Sequence, residues 1–288
     1  MPVLMERLRR RVLSPLFDRL GYDLVPAAPD WTHRPLSRRE VDCLLGAAAA
    51  RLEHDLAAAG IAHGESVRDL VEEFWTLIPS APVRQRRGGS GFNGALQLFV
   101  AMRALEPAFV IESGVFRGLT TWEIRQALPD ARLFCHDPDL SGLQYRDARA
   151  RYDDADWSRA DWSVLDPAAT VAFFDDHVAQ GRRVVEAHAL GLTCLLFDDD
   201  AAGHRIHAHG GPAHPTIAML EAMRDDPEPI RWRRNGRVFE QAGNDPLSRR
   251  ARDCIARSHA FDDLHRATGY SPARLTYVAL HPPRGGST

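Results

Sequence analysis

From residue 108 onward, short apolar runs alternate with helical patterns, and this alternation constrains the fold more than any other feature of the chain. AFVIES (108–113), ARLFCHD (131–137), ATVAFFDDH (169–177), LTCLLFDDD (192–200) and RLTYVALH (274–281) read as buried strands. Thr121–Ala127, Val178–Leu190 and Pro215–Arg224 read as helices between or after them. Such alternation predicts an α/β chain with a doubly wound, largely parallel sheet covered on both faces. Ligands of these sheets bind at the carboxyl ends of the strands, near the switch in strand order. The acidic residues gather at those ends: Glu112, Asp137, Asp175, Asp176 and Asp198 to Asp200.

Residues 1–92 read as a helical extension ending in a loop, and 93–288 as the α/β domain. The extension holds a helix near 3–20 interrupted at Pro15, a second over 37–59, and a third over 65–77 that stops before Pro79. Ser37 with Glu40 three residues on has the spacing of a capping box. NGALQLFVAMRAL (93–105) then feeds the first core strand as an apolar helix. The first helix is basic and amphipathic, with Leu4, Leu8, Val12 and Leu16 along one stripe. Packing on the domain is the preferred reading of that stripe over contact with a membrane surface. The N-terminal helices could equally cap the substrate side or join two copies of the chain, and the sequence does not decide between them.

With 288 residues, 44% hydrophobic, there is enough apolar material for a sizeable core. The net charge of -3 gives no electrostatic case for a nucleic-acid partner, although every one of the 36 basic residues is arginine. Cys43, Cys135, Cys194 and Cys254 stand far apart, which argues against a zinc ribbon or a disulfide framework and suits a reducing compartment. No run approaches the ~18 apolar residues of a spanning helix, so stable membrane insertion is not expected. A cytoplasmic chain is.

In VIESGVFRGLTTW (110–122) an apolar strand runs into Gly114, and Gly118 follows four residues later near a helix start. Glycine permits a sharp turn and a close ligand, and free amides at a helix start favour a carboxylate or hydroxyl-bearing ligand. The pattern departs from the dinucleotide fingerprint G-x-G-x-x-G, because Phe116 replaces the middle glycine. Asp137 ends the next strand, where an acid can accept hydrogen bonds from both hydroxyls of a ribose.

At this point ESGVFRG resembles the E-T-G-V-W-R-G-G signature of the macrocin O-methyltransferase group, and the related cephalosporin hydroxylase group that shares its fold. The resemblance spans roughly residues 108–200, with a weaker echo in LGYDLVP (20–26). It implies the Rossmann-like fold of the S-adenosylmethionine-dependent methyltransferases. It also implies a cofactor site in which Glu112, Gly114 and Gly118 surround the amino-acid part and Asp137 holds the ribose. Leu119 stands where the family has its last glycine, a departure that would narrow the pocket.

Asp175-Asp176-His177 and Asp198-Asp199-Asp200 are separated by one helix, so a right-handed crossover brings their strand ends close together. Converging carboxylates repel unless a cation or protons neutralise them, and hard oxygen donors beside one imidazole suit Mg²⁺, Mn²⁺ or Ca²⁺ better than zinc. Helix capping is the competing reading, since aspartate is a favoured cap. The resembling families place a divalent ion here, for which Mg²⁺ is the expectation. Asp175, Asp198 and Asp199 match its ligand positions best, with Asp176 competing with Asp175. His177 or Asp176 is the expected general base.

His204, His207, His209 and His214 lie in GHRIHAHGGPAH (203–214) and read as a loop covering the site and lending a histidine, rather than as a zinc centre. Trp157 and Trp162 read as core residues before ring-stacking ones. The expected activity is metal-assisted O-methylation of a hydroxyl on a small molecule, a sugar or natural product. The alternatives are another metal-dependent reaction on the same fold, such as hydroxylation, or a non-catalytic ligand-binding or scaffold role.

Overall fold

Residues two apart along a strand share a face, and here both faces of the sheet are apolar. The computed structural model describes residues 8–20, 31, 36–83, 89–201, 214–224, 226, 228–234 and 237–282. Its strands are β1 (Phe109–Ser113), β2 (Arg132–His136), β3 (Arg151–Asp153), β4 (Thr170–Phe174), β5 (Cys194–Phe197), β6 (Ile230–Arg234), β7 (Arg237–Gln241), β8 (Ile255–Ala260) and β9 (Thr276–Leu280). Seven form one sheet in the order β3-β2-β1-β4-β5-β9-β8. The first five of these are parallel, and β9 runs antiparallel to both of its neighbours. β6 and β7 form a separate antiparallel hairpin. This is the α/β, doubly wound, Rossmann-like architecture expected from the sequence, with N-terminal helices in front of it.

The helices are α1 (Ser14–Arg19), α2 (Arg38–Ala59), α3 (Val67–Leu77), α4 (Phe92–Leu105), α5 (Leu119–Ala127), α6 (Gln180–Ala189), α7 (Ile217–Ala222), α8 (Pro246–Cys254) and α9 (His265–Thr268). Val110, Cys135, Val171, Phe173 and Leu196 point to one face and join Leu52, Phe74, Phe99 and Ile124 from α2 to α5 in one apolar cluster. Their strand neighbours Ile111, Ala172, Phe174, Leu195 and Phe197 point to the other face, against Val184, Leu220 and Ala251 of α6, α7 and α8. Residues before 93 therefore share their core with the sheet. Trp157 is fully buried in the second cluster, which bears out the core reading over a stacking role.

The capping box forms as expected. Ser37 Oγ accepts the Glu40 amide at 3.3 Å, and the Glu40 carboxylate accepts the Ser37 amide at 2.7 Å. Gly60 then ends α2 in the left-handed conformation (φ 72°). The first helix departs from expectation. Arg9–Leu13 forms a π-helical turn ahead of α1, just before Pro15, whose missing amide removes one bond of the regular ladder. Of its stripe, Leu8, Val12 and Leu16 are 43–52% exposed, and Leu4 lies outside the described residues. No described helix is long and apolar enough to cross a membrane.

One buried ion pair fixes the ground beneath the site. The Arg125 guanidinium on α5 pairs with Asp147, and both side chains are 6% exposed. Nη1 of the same arginine donates to the carbonyls of Leu128, Pro129 and Ala131 at 2.9–3.1 Å. The pair holds the segment carrying Asp147 against the last turn of α5. Replacing Arg125 with Met leaves Asp147 charged and unpaired, at a cost of about 3–5 kcal/mol. Urea unfolding measures this, and a loss under about 1 kcal/mol would contradict the assignment.

Candidate functional site

β1 pairs with β2 on one side and β4 on the other, so the switch in strand order falls at the carboxyl ends of β1 and β4. Gly114 (φ 96°) turns the chain there, and a Cβ on it would stand 2.3 Å from the Asp175 carbonyl oxygen. At Gly118 (φ 86°) a Cβ would stand 2.3 Å from the Tyr145 carbonyl oxygen. Both glycines are thus required by the protein's own backbone. Leu119 is 6% exposed; it packs in the core and also lines the cleft beside Phe116. Phe116 is 44% exposed, with the Arg117 guanidinium 4.8 Å from its ring centroid.

Asp137 grips this turn. Its Oδ2 accepts the amides of Val115 and Phe116, both at 2.8 Å, and its Oδ1 accepts the Asp139 amide at 2.9 Å. Of the roughly four lone-pair positions on a carboxylate, three are used and one is left. Two hollows lie on either side of this residue's contacts. Val115 and Phe116, whose amides it holds, line a cleft with Val83, Ser90, Thr120 and Asp175. Its neighbours Pro138 and Asp139 line a hollow of about 620 Å³ with Ser141, Tyr152 and Asp154.

Glu112 lies beneath the turn rather than facing either hollow. It is 1% exposed, takes the Thr121 hydroxyl at 2.6 Å and the Thr120 hydroxyl, and so ties β1 to the first turn of α5. Burial pushes its carboxyl up to about 7. Glu123, also on α5, is fully buried without a hydrogen-bond partner, and burial with Glu112 and Asp198 nearby drives its carboxyl well up.

The second constellation assembles at the ends of β4 and β5. His177 Nε2 lies 3.8 Å from Asp175 Oδ1 and 3.7 Å from Asp199 Oδ2. One donor atom from each of these three residues lies within 4.8 Å of the others. His177 (φ 56°) and Asp199 (φ 55°) both adopt the left-handed backbone that non-glycine residues rarely hold. Such strain persists where the surrounding structure over-determines it, and it concentrates at functional sites. Burial and the charges of Asp198, Asp199 and Asp176 push the Asp175 carboxyl well above its usual range. Burial and Asp199 push Asp198 up to about 6. Asp199 is held low by the neighbouring His177 imidazole, which in turn is raised by Asp199.

The remaining acids have other partners. Asp198 Oδ1 accepts the amide of Asp199 at 2.8 Å, and its carboxylate stands outside the three-donor group. Asp200 is buried, accepting the Ala218 amide at 2.8 Å and the Thr276 hydroxyl at 2.6 Å, which is the capping role. Asp176, an expected base, accepts the Ser113 hydroxyl at 2.7 Å and the Nε and Nη2 of Arg183 at 2.8 and 2.7 Å. Arg183 is 2% exposed and also holds Asp156 and Glu186. Asp176 is thus tied to β1 and α6 by its partners.

Of the histidine-rich segment, His204, His207 and His209 lie outside the described residues. His214 is 4% exposed and stacks on His177, with centroids 5.9 Å apart and planes at 28°. Gln180 and Arg183 drew no notice in the sequence, where both look like ordinary helix residues, yet both are buried and brace the rim.

No family model matches the chain, and neither does any curated protein. Solved structures that resemble it include the O-methyltransferase TomG from Streptomyces achromogenes, involved in tomaymycin synthesis, in complex with S-adenosylmethionine (14% identity, 79% of this chain and 96% of that chain, TM-score 0.39). The N-terminal domain of EvdMO1, in the presence of S-adenosylhomocysteine and D-fucose, is another (11% identity, 76% and 99%, TM-score 0.43). A third is cmcI with Mg and S-adenosylmethionine (19% identity, 41% and 58%, TM-score 0.31), of which the chain spans less than two thirds. The fold assignment above rests on the strand order itself.

The buried Glu112 makes stability depend on pH. Its folded value near 7 lies above the ordinary 4.5, so the folded state holds the proton more tightly. Stability is therefore full below 4.5 and falls by about 3 kcal/mol as pH rises through 7. Glu112→Gln should raise the melting temperature at pH 8 and leave it nearly unchanged at pH 4.5. Equal shifts at both values would contradict the assignment.

Proposed function

We propose that this chain is an S-adenosylmethionine-dependent O-methyltransferase that acts on a hydroxyl of a small molecule, a sugar or natural product, with help from a divalent cation. The observation that carries the reading is the meeting, at one switch point, of the Asp137-held turn with the Asp175–His177–Asp199 cluster. Gly114 is in contact with both, because its turn touches the Asp175 backbone.

Asp137 would take a ribose hydroxyl on its remaining lone pair. The polar hollow beside Pro138 and Tyr152 would take the base. When bound, the sulfonium cofactor supplies an electrophilic methyl group and leaves as a neutral thioether, so no leaving-group acid is needed. Donor and acceptor then have to be aligned, which can lower the barrier by several kcal/mol.

The donor set fits a divalent cation. Asp175 lies among like charges that all push its carboxyl upward, an excess of negative charge that a cation would relieve. Asp175, His177 and Asp199 would hold the ion, which moves His177 from the expected role of base to that of ligand and Asp198 out of the ligand set. A bound cation would orient the acceptor hydroxyl and lower its pKa. Asp198, close to the cluster and outside it, is the side chain left to take the proton as the O–C bond forms.

Titration calorimetry tests this directly. S-adenosylmethionine should bind the wild type, and Asp137→Asn should bind it at least about tenfold more weakly, a loss of about 1.4 kcal/mol. Asp198→Asn should lower kcat by about 10²-fold or more while cation binding persists. Methyl transfer should continue without O₂, whereas an oxygenase would stop. No heat on addition of S-adenosylmethionine would contradict the proposal and favour a scaffold role.

A further inference from the structure

Residues 8–19 wind without a break through the π-helical turn Arg9–Leu13 into α1, with an apolar side chain at every fourth position from Leu8. An α-helix turns about every 3.6 residues, so side chains four apart drift steadily around it. A π turn is wider and carries more residues, which offsets that drift between Leu8 and Val12. The winding thus favours one straight stripe over a spiral. Leu8, Val12, Leu16 and Leu20 along it are 43%, 52%, 52% and 63% exposed.

The charges beside the stripe are mostly of one sign. Residues 1–20 hold five arginines and two acids, a net +3 in a chain of -3, so the rest of the chain carries -6. Arg11 and Arg19 stand three residues after Leu8 and Leu16, the spacing of neighbours on a helix face, and both are exposed. A guanidinium matches a phosphate in shape and can donate two hydrogen bonds to it. An apolar stripe flanked by arginines therefore fits a surface that offers phosphates above apolar chains. A second copy of the same helix fits it poorly, because the pair would bring +3 against +3. Residues 8–19 reach about 18 Å, short of the ~30 Å hydrocarbon core of a bilayer, so the helix would lie along the surface.

We propose that residues 8–20 dock the chain on an anionic phospholipid surface. Leu8, Val12, Leu16 and Leu20 enter the boundary of the acyl chains, and Arg11 and Arg19 meet the phosphates. The inference stands apart from the proposed reaction and does not depend on it. A few leucines and arginines give reversible binding, and its electrostatic share weakens as salt shortens the screening length.

Sedimentation of the full chain with vesicles tests this, using phosphatidylcholine alone and an equal mixture with phosphatidylglycerol. Wild type should pellet with the mixed vesicles and stay in solution with phosphatidylcholine. The double variant Arg11→Gln/Arg19→Gln should bind the mixed vesicles at least about tenfold more weakly. Val12→Ser/Leu16→Ser should lose binding by a similar factor. The four replaced side chains are exposed, so both variants should keep the wild-type melting temperature. Raising salt from about 0.1 M to about 0.5 M should weaken wild-type binding, a readout that needs no variant. No pelleting of the wild type with the mixed vesicles overturns the inference, as does equal pelleting with both lipids. Sedimentation velocity without lipid separates the other occupant: a dimer that Val12→Ser/Leu16→Ser dissolves would assign the stripe to a second copy and overturn the lipid reading.

Discussion

The close crossing of two backbones at Gly114 is the constraint on which the site depends. β1 and β4 are neighbours in the sheet, and the chain must turn away from β1 while the end of β4 passes alongside. Any side chain at Gly114 would collide with the Asp175 carbonyl, and its left-handed φ already disfavours one. Because the turn can lie that low, the segment from Asp175 to His177 comes up beside it. Asp137 then holds the turn from the opposite side through two amides. Three strand ends are locked together in this way before any ligand arrives.

The rim's charges are arranged in two classes. Asp176 and Asp156 are bound to the buried Arg183, and Asp147 to Arg125, so these acids are consumed in holding loops in place. Asp175 lacks such a partner among the causes that move its carboxyl, all of which push it upward. Like charges kept this close by packing are costly unless something neutralises them. The strained backbone at His177 and Asp199 is a second cost at the same place. A fold that concentrates both costs on one rim is arranged for binding.

Much of this was legible in the sequence, because period-two patterning is a strong signal when both sheet faces are buried. The five runs read as strands all became strands, and the Ser37–Glu40 capping box formed as its spacing predicts. Short or polar elements escaped. β3 has three residues, and β8 (IARSHA) sits at the sheet edge, where packing selects only weakly for apolar side chains. The β6–β7 hairpin was missed, although the intervening Asn235-Gly236 is a hairpin signal in its own right.

At the site the sequence indicated which acids would gather but not what each would touch. Asp176 and Asp175 are adjacent and chemically identical, and only the distant Arg183 separates their roles. The apolar stripe on the first helix is a related case. Amphipathic spacing says that a face is apolar and leaves open what covers it.

The most direct measurement is anomalous diffraction from crystals of the full chain grown with Mn²⁺. The account expects one strong peak within coordination distance of Asp175, His177 and Asp199, beside the turn that Asp137 holds. A peak elsewhere on the molecule, or none at this rim under saturating Mn²⁺, would contradict it.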